Sequence, residues 1–337
     1  MMKSIKYMLA VFIPFLMACE GYLFEEDLSS LDPQVNFDYL WKQCDEKYAY
    51  FDLKEIDWDE KYTEYSSKLY PEMSDDSLFN VLGGLLRELK DDHTNLSSTF
   101  NVAFYGTQNL GPDNFDWRIV TDHYLPSDYY ISGPFVHDFL LNSNQEIGYI
   151  RFSQFTGMIN STNLNFILNR YKHTKGLIID LRENGGGAVS DVFALLERFI
   201  NQKTLVYYSR LKNGKAHTAF SEDQPTFISP VSPIYNQKVM MLIDRGTYSA
   251  GSFTALSTKA MPSITLIGDT TGGGLGLPNG GQLPNGWTYR FSITQTLDAN
   301  LNNEYESGVP PDIRVITNLS DRTKDEVIER AKLEINK

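Results

Sequence analysis

The chain has 337 residues, 42% hydrophobic and 13% aromatic, enough to bury a sizeable core over two domains and more than a disordered chain carries. Its formal charge of -13 surrounds it with a negative field that repels nucleic acid, so a nucleic-acid partner is excluded. The charge names no substrate, because it reports on solubility and encounter rather than on chemistry.

The first segment carries Lys3 and Lys6, an apolar stretch from Tyr7 to Met17, and the sequence Leu16-Met17-Ala18-Cys19. This run is too short to span a bilayer easily as a mature helix and reads as an export signal. Residues 1–19 resemble a bacterial lipoprotein signal. That implies a lipid on Cys19 as the contact with the membrane, and a location in the bacterial cell envelope. An uncleaved anchor and a soluble secreted form are the alternatives. Residues 20–33 are acidic and without an apolar period, as a tether would be.

Residues 34–94 read as a small helical domain. Phe37, Leu40, Trp41, Cys44 and Tyr48 have the spacing of one buried helix face, which makes Cys44 a core cysteine. With Cys19 lipidated, Cys44 has no disulfide partner, and no Cys/His cluster has metal-ligand spacing. A second helix is predicted over 59–69. A third spans 75–90, with Leu78, Leu82, Leu85 and Leu89 on one face and Ser74 or Asp75 as cap. The period stops at Asp91-Asp92-His93-Thr94. Residues 95–146 form an irregular, β-containing linker punctuated by Gly106, Gly111-Pro112, Pro126 and Gly133-Pro134.

From Ile147 the pattern changes to strands alternating with helices. Strands are predicted at 147–152, 176–181, 239–243 and 264–267, and helices at 160–171, 188–200 and 249–259. Near-continuous apolar strands of this kind belong to an α/β sheet covered on both faces, here over 147–337. Thr323 with Glu326 predicts a capping box for a last helix running toward Ile335.

Two segments suit chemistry. Between Met240 and Ser252 a buried strand runs into a tight turn and a helix, which lifts Ser249 to a helix N-terminus beside the small Ala250 and Gly251. Free N–H groups at such a terminus can stabilise an oxyanion, so Ser249 suits a nucleophile; a plain helix N-cap is the competing reading. Between Gly176 and Gly187 a second buried strand ends in a charged turn and three glycines, whose amides can face a ligand oxygen. That segment lacks the spacing and the lysine of a nucleotide loop.

Together these segments resemble the serine peptidases that include the C-terminal-processing (tail-specific) proteases and the tricorn core. Residues 176–187 look like that family's D-L-R-x-N-x-G-G, residues 246–252 its T-x-S-A-x-E, residues 308–312 its G-V-x-P-D, and residues 89–93 its L-x-D-x-H, all in the family's order. Residues 48–58 also look like the helical leader of the bacterial members. The resemblance implies a ClpP/crotonase-like mixed sheet flanked by helices, a small N-terminal helical domain and no complete PDZ domain. It also implies endopeptidase chemistry through an acyl-enzyme on a peptide or protein substrate, without metal or organic cofactor.

Roles follow from the same resemblance. Ser249 matches the nucleophile, and Gly186 and Ala250 match the oxyanion hole. His93 matches the base of tricorn-like members, and Glu306 the acid, with Glu304 its nearest competitor. Asp92 stands where tricorn has a serine, so Asp92 or Thr94 is the candidate to orient the ring. Tail-specific members use a lysine where this chain has Gly274, and Lys259 points from a later turn. Ser252 stands where most members have glutamate. Ser252 and Gly274 favour an alternative, an inactive relative that binds peptides or hydrophobic ligands. A second alternative, a lipase or esterase, requires glycine where Thr247 stands. His123, His137, His173 and His217 fall outside these motifs.

Overall fold

The computed structural model describes residues 29–106 and 111–337; Cys19 and the segment resembling an export signal lie outside the described residues. Asp32 accepts from the Gln34 and Val35 amides and Pro33 occupies the first turn, which starts α1 (Pro33–Lys47). Asp57 caps α2 (Trp58–Ser66), and Ser74, rather than Asp75, caps α3 (Asp75–Arg87). The apolar faces predicted for α1 and α3 are buried, including Phe37, Leu40, Cys44, Leu78, Leu82 and Leu85.

The short strands β1 (Asn95–Ser97) and β2 (Val102–Phe104) follow, then α4 (Trp117–His123), β3 (Tyr130–Ser132), β4 (Phe135–Phe139) and β5 (Ile147–Arg151). The chain continues through α5 (Ser161–Tyr171), β6 (Gly176–Asp180), α6 (Val189–Leu196), β7 (Thr204–Leu211), β8 (Gln224–Ile228), β9 (Lys238–Ile243), α7 (Ala250–Thr258) and β10 (Ile264–Gly268). It ends with β11 (Pro278–Gln282), β12 (Thr288–Ser292), β13 (Thr294–Asp298), a 3-10 turn (Glu304–Ser307), β14 (Ile313–Arg314) and α8 (Glu326–Asn336).

A mixed sheet of order β14-β10-β9-β6-β5-β4-β3 forms the larger half, with β5, β6, β9 and β10 parallel at its centre. Its side chains alternate between two cores: Leu177, Ile179, Val239 and Met241 enter one, and Ile178, Met240 and Leu242 the other. Both faces are covered, which is why these strands are apolar throughout. This is the mixed, helix-flanked α/β sheet that the sequence implied.

The smaller half is assembled from both ends of the chain. An antiparallel sheet of order β11-β12-β1-β2 lies against α1–α3, and Leu283, Trp287, Tyr289 and Phe291 share one core with Phe37, Leu40 and Leu82. Two local expectations are corrected. The last helix is capped by Asp325, whose Oδ1 accepts from Val327 N and Ile328 N, while the Thr323 hydroxyl donates to Asp321 instead of forming a capping box. The helix predicted over 188–200 is regular only to Leu196, because Glu197 closes it with a tightened last turn.

Candidate active site

The Ser249 side rests on two turns at the C-terminal ends of β6 and β9. Asp244 Oδ1 accepts from Glu183 N (2.8 Å) and Thr247 N (3.0 Å), and the Thr247 hydroxyl donates to Leu181 O (2.8 Å), so the two turns are laced together. Ser249 then adopts φ 51° and ψ -116°, a left-handed backbone that costs a non-glycine residue about 1–3 kcal/mol. The surroundings enforce it: Ser249 N donates to Gly273 O (3.0 Å) and Tyr248 N to Asn184 O (2.9 Å). Although Ser249 sits at the N-cap position of α7, its side chain makes no capping hydrogen bond, so the plain N-cap reading fails.

Gly186 packs directly on this turn. With φ 91°, a Cβ there would lie 2.6 Å from Tyr248 O, 2.7 Å from Ser249 Cβ and 2.9 Å from Ala250 N, so only glycine fits. Its own N–H donates to Asn184 Oδ1 (3.0 Å) and is not aimed at the serine. Ala250 opens α7, where the first amides have no acceptor inside the helix.

His93 comes from the other half of the molecule. After α3, Lys90 turns the chain with φ 49°, and Asp91 Oδ1 then accepts from the His93 N–H (2.8 Å). Arg290 Nε on β12 donates to His93 O (3.2 Å). The outcome is that His93 Nε2 lies 3.0 Å from Ser249 Oγ. Burial pulls the imidazole below its ordinary pKa, with Asp91 the chief opposing influence, so the ring stays neutral near pH 7.

The remaining predicted residues stand around this pair. Asp92 Oδ1 accepts from Gly106 N, and Thr94 Oγ1 is buried without a hydrogen-bond partner, as is His93 Nδ1. Glu306 is buried where Glu304 is exposed. Its Oε2 accepts from Leu275 N (2.8 Å) and Gly276 N (3.0 Å), so it braces the loop that receives Ser249 N rather than the histidine. Burial raises the Glu306 carboxyl to about 7, against the pull of Lys54. Lys54 and Asp91 were assigned no role from the sequence, although both lie in stretches that carried the family resemblance. A lysine among acidic neighbours reads as surface until the fold is known.

The two departures from the family pattern are both accommodated. Ser252 is buried and its hydroxyl donates to Thr247 O (3.1 Å) and accepts from the Thr271 hydroxyl (2.9 Å), filling the acid's place with satisfied hydrogen bonds. At Gly274, with φ 72°, a Cβ would lie 2.3 Å from Tyr248 Cζ; the tyrosine occupies the space a lysine would need. Lys259 donates to Pro310 O (3.2 Å) and is committed elsewhere. Beside the pair opens a cleft of about 650 Å³, lined by Gly185, Arg245, Tyr248 and Arg290 among others, a size that accepts a ligand segment.

Residues 146–315 match peptidase family S41, and residues 30–87 match the tricorn protease C1 domain. A crystal structure of a candidate peptidase from Parabacteroides merdae is 35% identical with a TM-score of 0.86, covering 91% of this chain and 97% of that one. The carboxy-terminal processing protease CtpA of Bacillus subtilis is 24% identical over 143 residues, 42% of this chain and 29% of its own. The nisin-resistance protein of Lactococcus lactis is 28% identical over 170 residues, 48% of this chain and 51% of its own, so the chain spans about half at most of these two relatives. With the family match extending over half its length and the Parabacteroides protein matched almost end to end, the chain belongs to peptidase family S41.

Proposed function

We propose that the protein is a serine endopeptidase that acts through an acyl-enzyme on Ser249 with His93 as base. The observation that carries this reading is the 3.0 Å approach of a buried imidazole nitrogen to a hydroxyl held in a strained turn. Ser249 Oγ attacks the scissile carbonyl as His93 Nε2 takes its proton, and the amide of Ala250 at the start of α7 receives the developing oxyanion. His93 then protonates the leaving amine, and water releases the acyl group by the reverse sequence. Family membership supports the reaction class. Gly274 and the Tyr248 ring argue for imidazole over lysine as base.

Cleavage of casein and of a peptide library by the wild-type protein and by Ser249→Ala tests the reading. The wild type should cut and the variant should not; equal cleavage by both, or none by either, overturns it.

The protein acts on peptides or proteins outside the cytoplasm, held to a membrane by lipid on Cys19. The signal-like pattern of residues 1–19 supports this. Metabolic labelling with an alkyne fatty acid should mark the wild type and spare Cys19→Ala. Persistent labelling of that variant sinks the assignment.

A further inference from the structure

We infer that Lys54 is a positioning residue for the catalytic pair: its ammonium ties the turn that carries His93 to the loop that holds Ser249, and its removal slows chemistry without weakening substrate binding. The inference rests on the Ser249–His93 reading above.

The Lys54 side chain is almost fully buried, in the turn after α1. Its Nζ donates to Tyr48 Oη (2.9 Å), Leu89 O (3.2 Å) and Lys90 O (3.0 Å), which uses all three of its protons. The two carbonyls flank the left-handed residue Lys90, so the ammonium clamps the turn that swings His93 away from α3. On its other sides stand two buried carboxylates, Asp91 Oδ2 at 4.0 Å and Glu306 Oε1 at 3.9 Å.

Those two acids lead to opposite members of the pair. Asp91 holds the His93 amide through its other oxygen. Glu306 holds the Leu275 and Gly276 amides, and its carbonyl accepts from Gly274 N (3.0 Å), which fixes the loop whose Gly273 O receives Ser249 N. Buried this close, Asp91 disfavours the ionised form of Glu306, and the Lys54 cation between them counters that repulsion. Lys54 is the cation shared by both, so it holds base and nucleophile in a common frame. Its pull on both acids is in the same direction, toward the ionised form.

The test is steady-state kinetics of the full chain on a fluorogenic casein-derived peptide, with far-UV circular dichroism to establish folding. Lys54→Met should lose on the order of 10²-fold in kcat with KM changed less than threefold, and Lys54→Arg, which keeps the charge, should recover most of that loss. A folded Lys54→Met with kcat within threefold of wild type overturns the inference, as does a loss carried by KM alone. If Lys54→Met does not fold, Asp91→Asn decides: it keeps an acceptor for the His93 amide but removes the charge facing Lys54. It should lower kcat at unchanged KM, and an unaltered kcat rejects the proposal. A wild-type protein whose cleavage does not depend on Ser249 would instead sink the functional reading itself.

Discussion

The two halves of this site are built in different ways. Ser249, the proposed nucleophile, belongs to one parallel sheet, in which the turns after β6 and β9 are laced together through Asp244, Thr247 and the Tyr248–Asn184 backbone bond. His93, the proposed base, follows α3 out of a core stitched from α1–α3 and from β12, near the other end of the chain, and its bond from Arg290 forms only in the finished fold. A strained, glycine-packed turn can therefore persist while His93, held locally only by the Asp91 turn, drifts. Activity should be more easily lost from the base side than from the nucleophile side.

Removing the reacting groups gives the largest effects and sets the scale. Ser249→Ala should lower kcat/KM by at least about 10⁴-fold, and His93→Ala by about 10²–10⁴-fold, in progress curves of peptide cleavage with folding unchanged. Next comes the shared core of the base side. Phe291 is buried against Tyr289 and Tyr48, so Phe291→Ala should cost about 3–5 kcal/mol in urea unfolding. Hydrogen exchange on that variant should quicken across residues 88–94 and leave 238–258 protected; equal loss of protection in both would erase the distinction between the halves. On the nucleophile side, Gly186→Ala forces a methyl group against Tyr248 O and Ser249 Cβ and should reduce kcat by about 10²-fold, read as a smaller pre-steady-state burst.

The smallest effect is on pH. His93 must be neutral to accept a proton, and burial favours its neutral form, so the acid limb of kcat/KM should fall below the ordinary histidine value of about 6.5. Asp91 is the chief influence in the opposite sense, so Asp91→Asn should move the limb lower still. A limb that moves upward in the pH–rate profile would reverse the assigned role of that carboxylate.

The sequence was most legible where structure is local. β6, β9, β10, α5 and α7 follow from apolar runs and helical spacing, because the parallel sheet buries both faces of its strands. α4 escaped notice because it has only seven residues, too few for a period to stand out. β11 is Pro-Asn-Gly-Gly-Gln, without a single strand-favouring residue, and it is a strand only because β12 pairs with it. β12 did carry a signal, the alternation Thr288-Tyr289-Arg290-Phe291-Ser292 with both aromatics buried. In the site, the motifs pointed to Ser249, His93, Gly186 and Glu306, but spacing along a chain gives no depth. The L-x-D-x-H pattern sets Asp91 apart from Asp92 but does not tell that Asp91 is buried, while Asp92 spends an oxygen on Gly106 N.

The Tyr248 ring lying over Gly274 also constrains what the scaffold could become. A lysine at 274 would collide with that ring, and a smaller residue at 248 would leave a void beside the imidazole. Exchanging one proton acceptor for the other is thus a two-step path whose intermediates are each less fit than the starting point, a valley rather than a slope. A turnover assay of Gly274→Lys, Tyr248→Ala and their combination would map its depth.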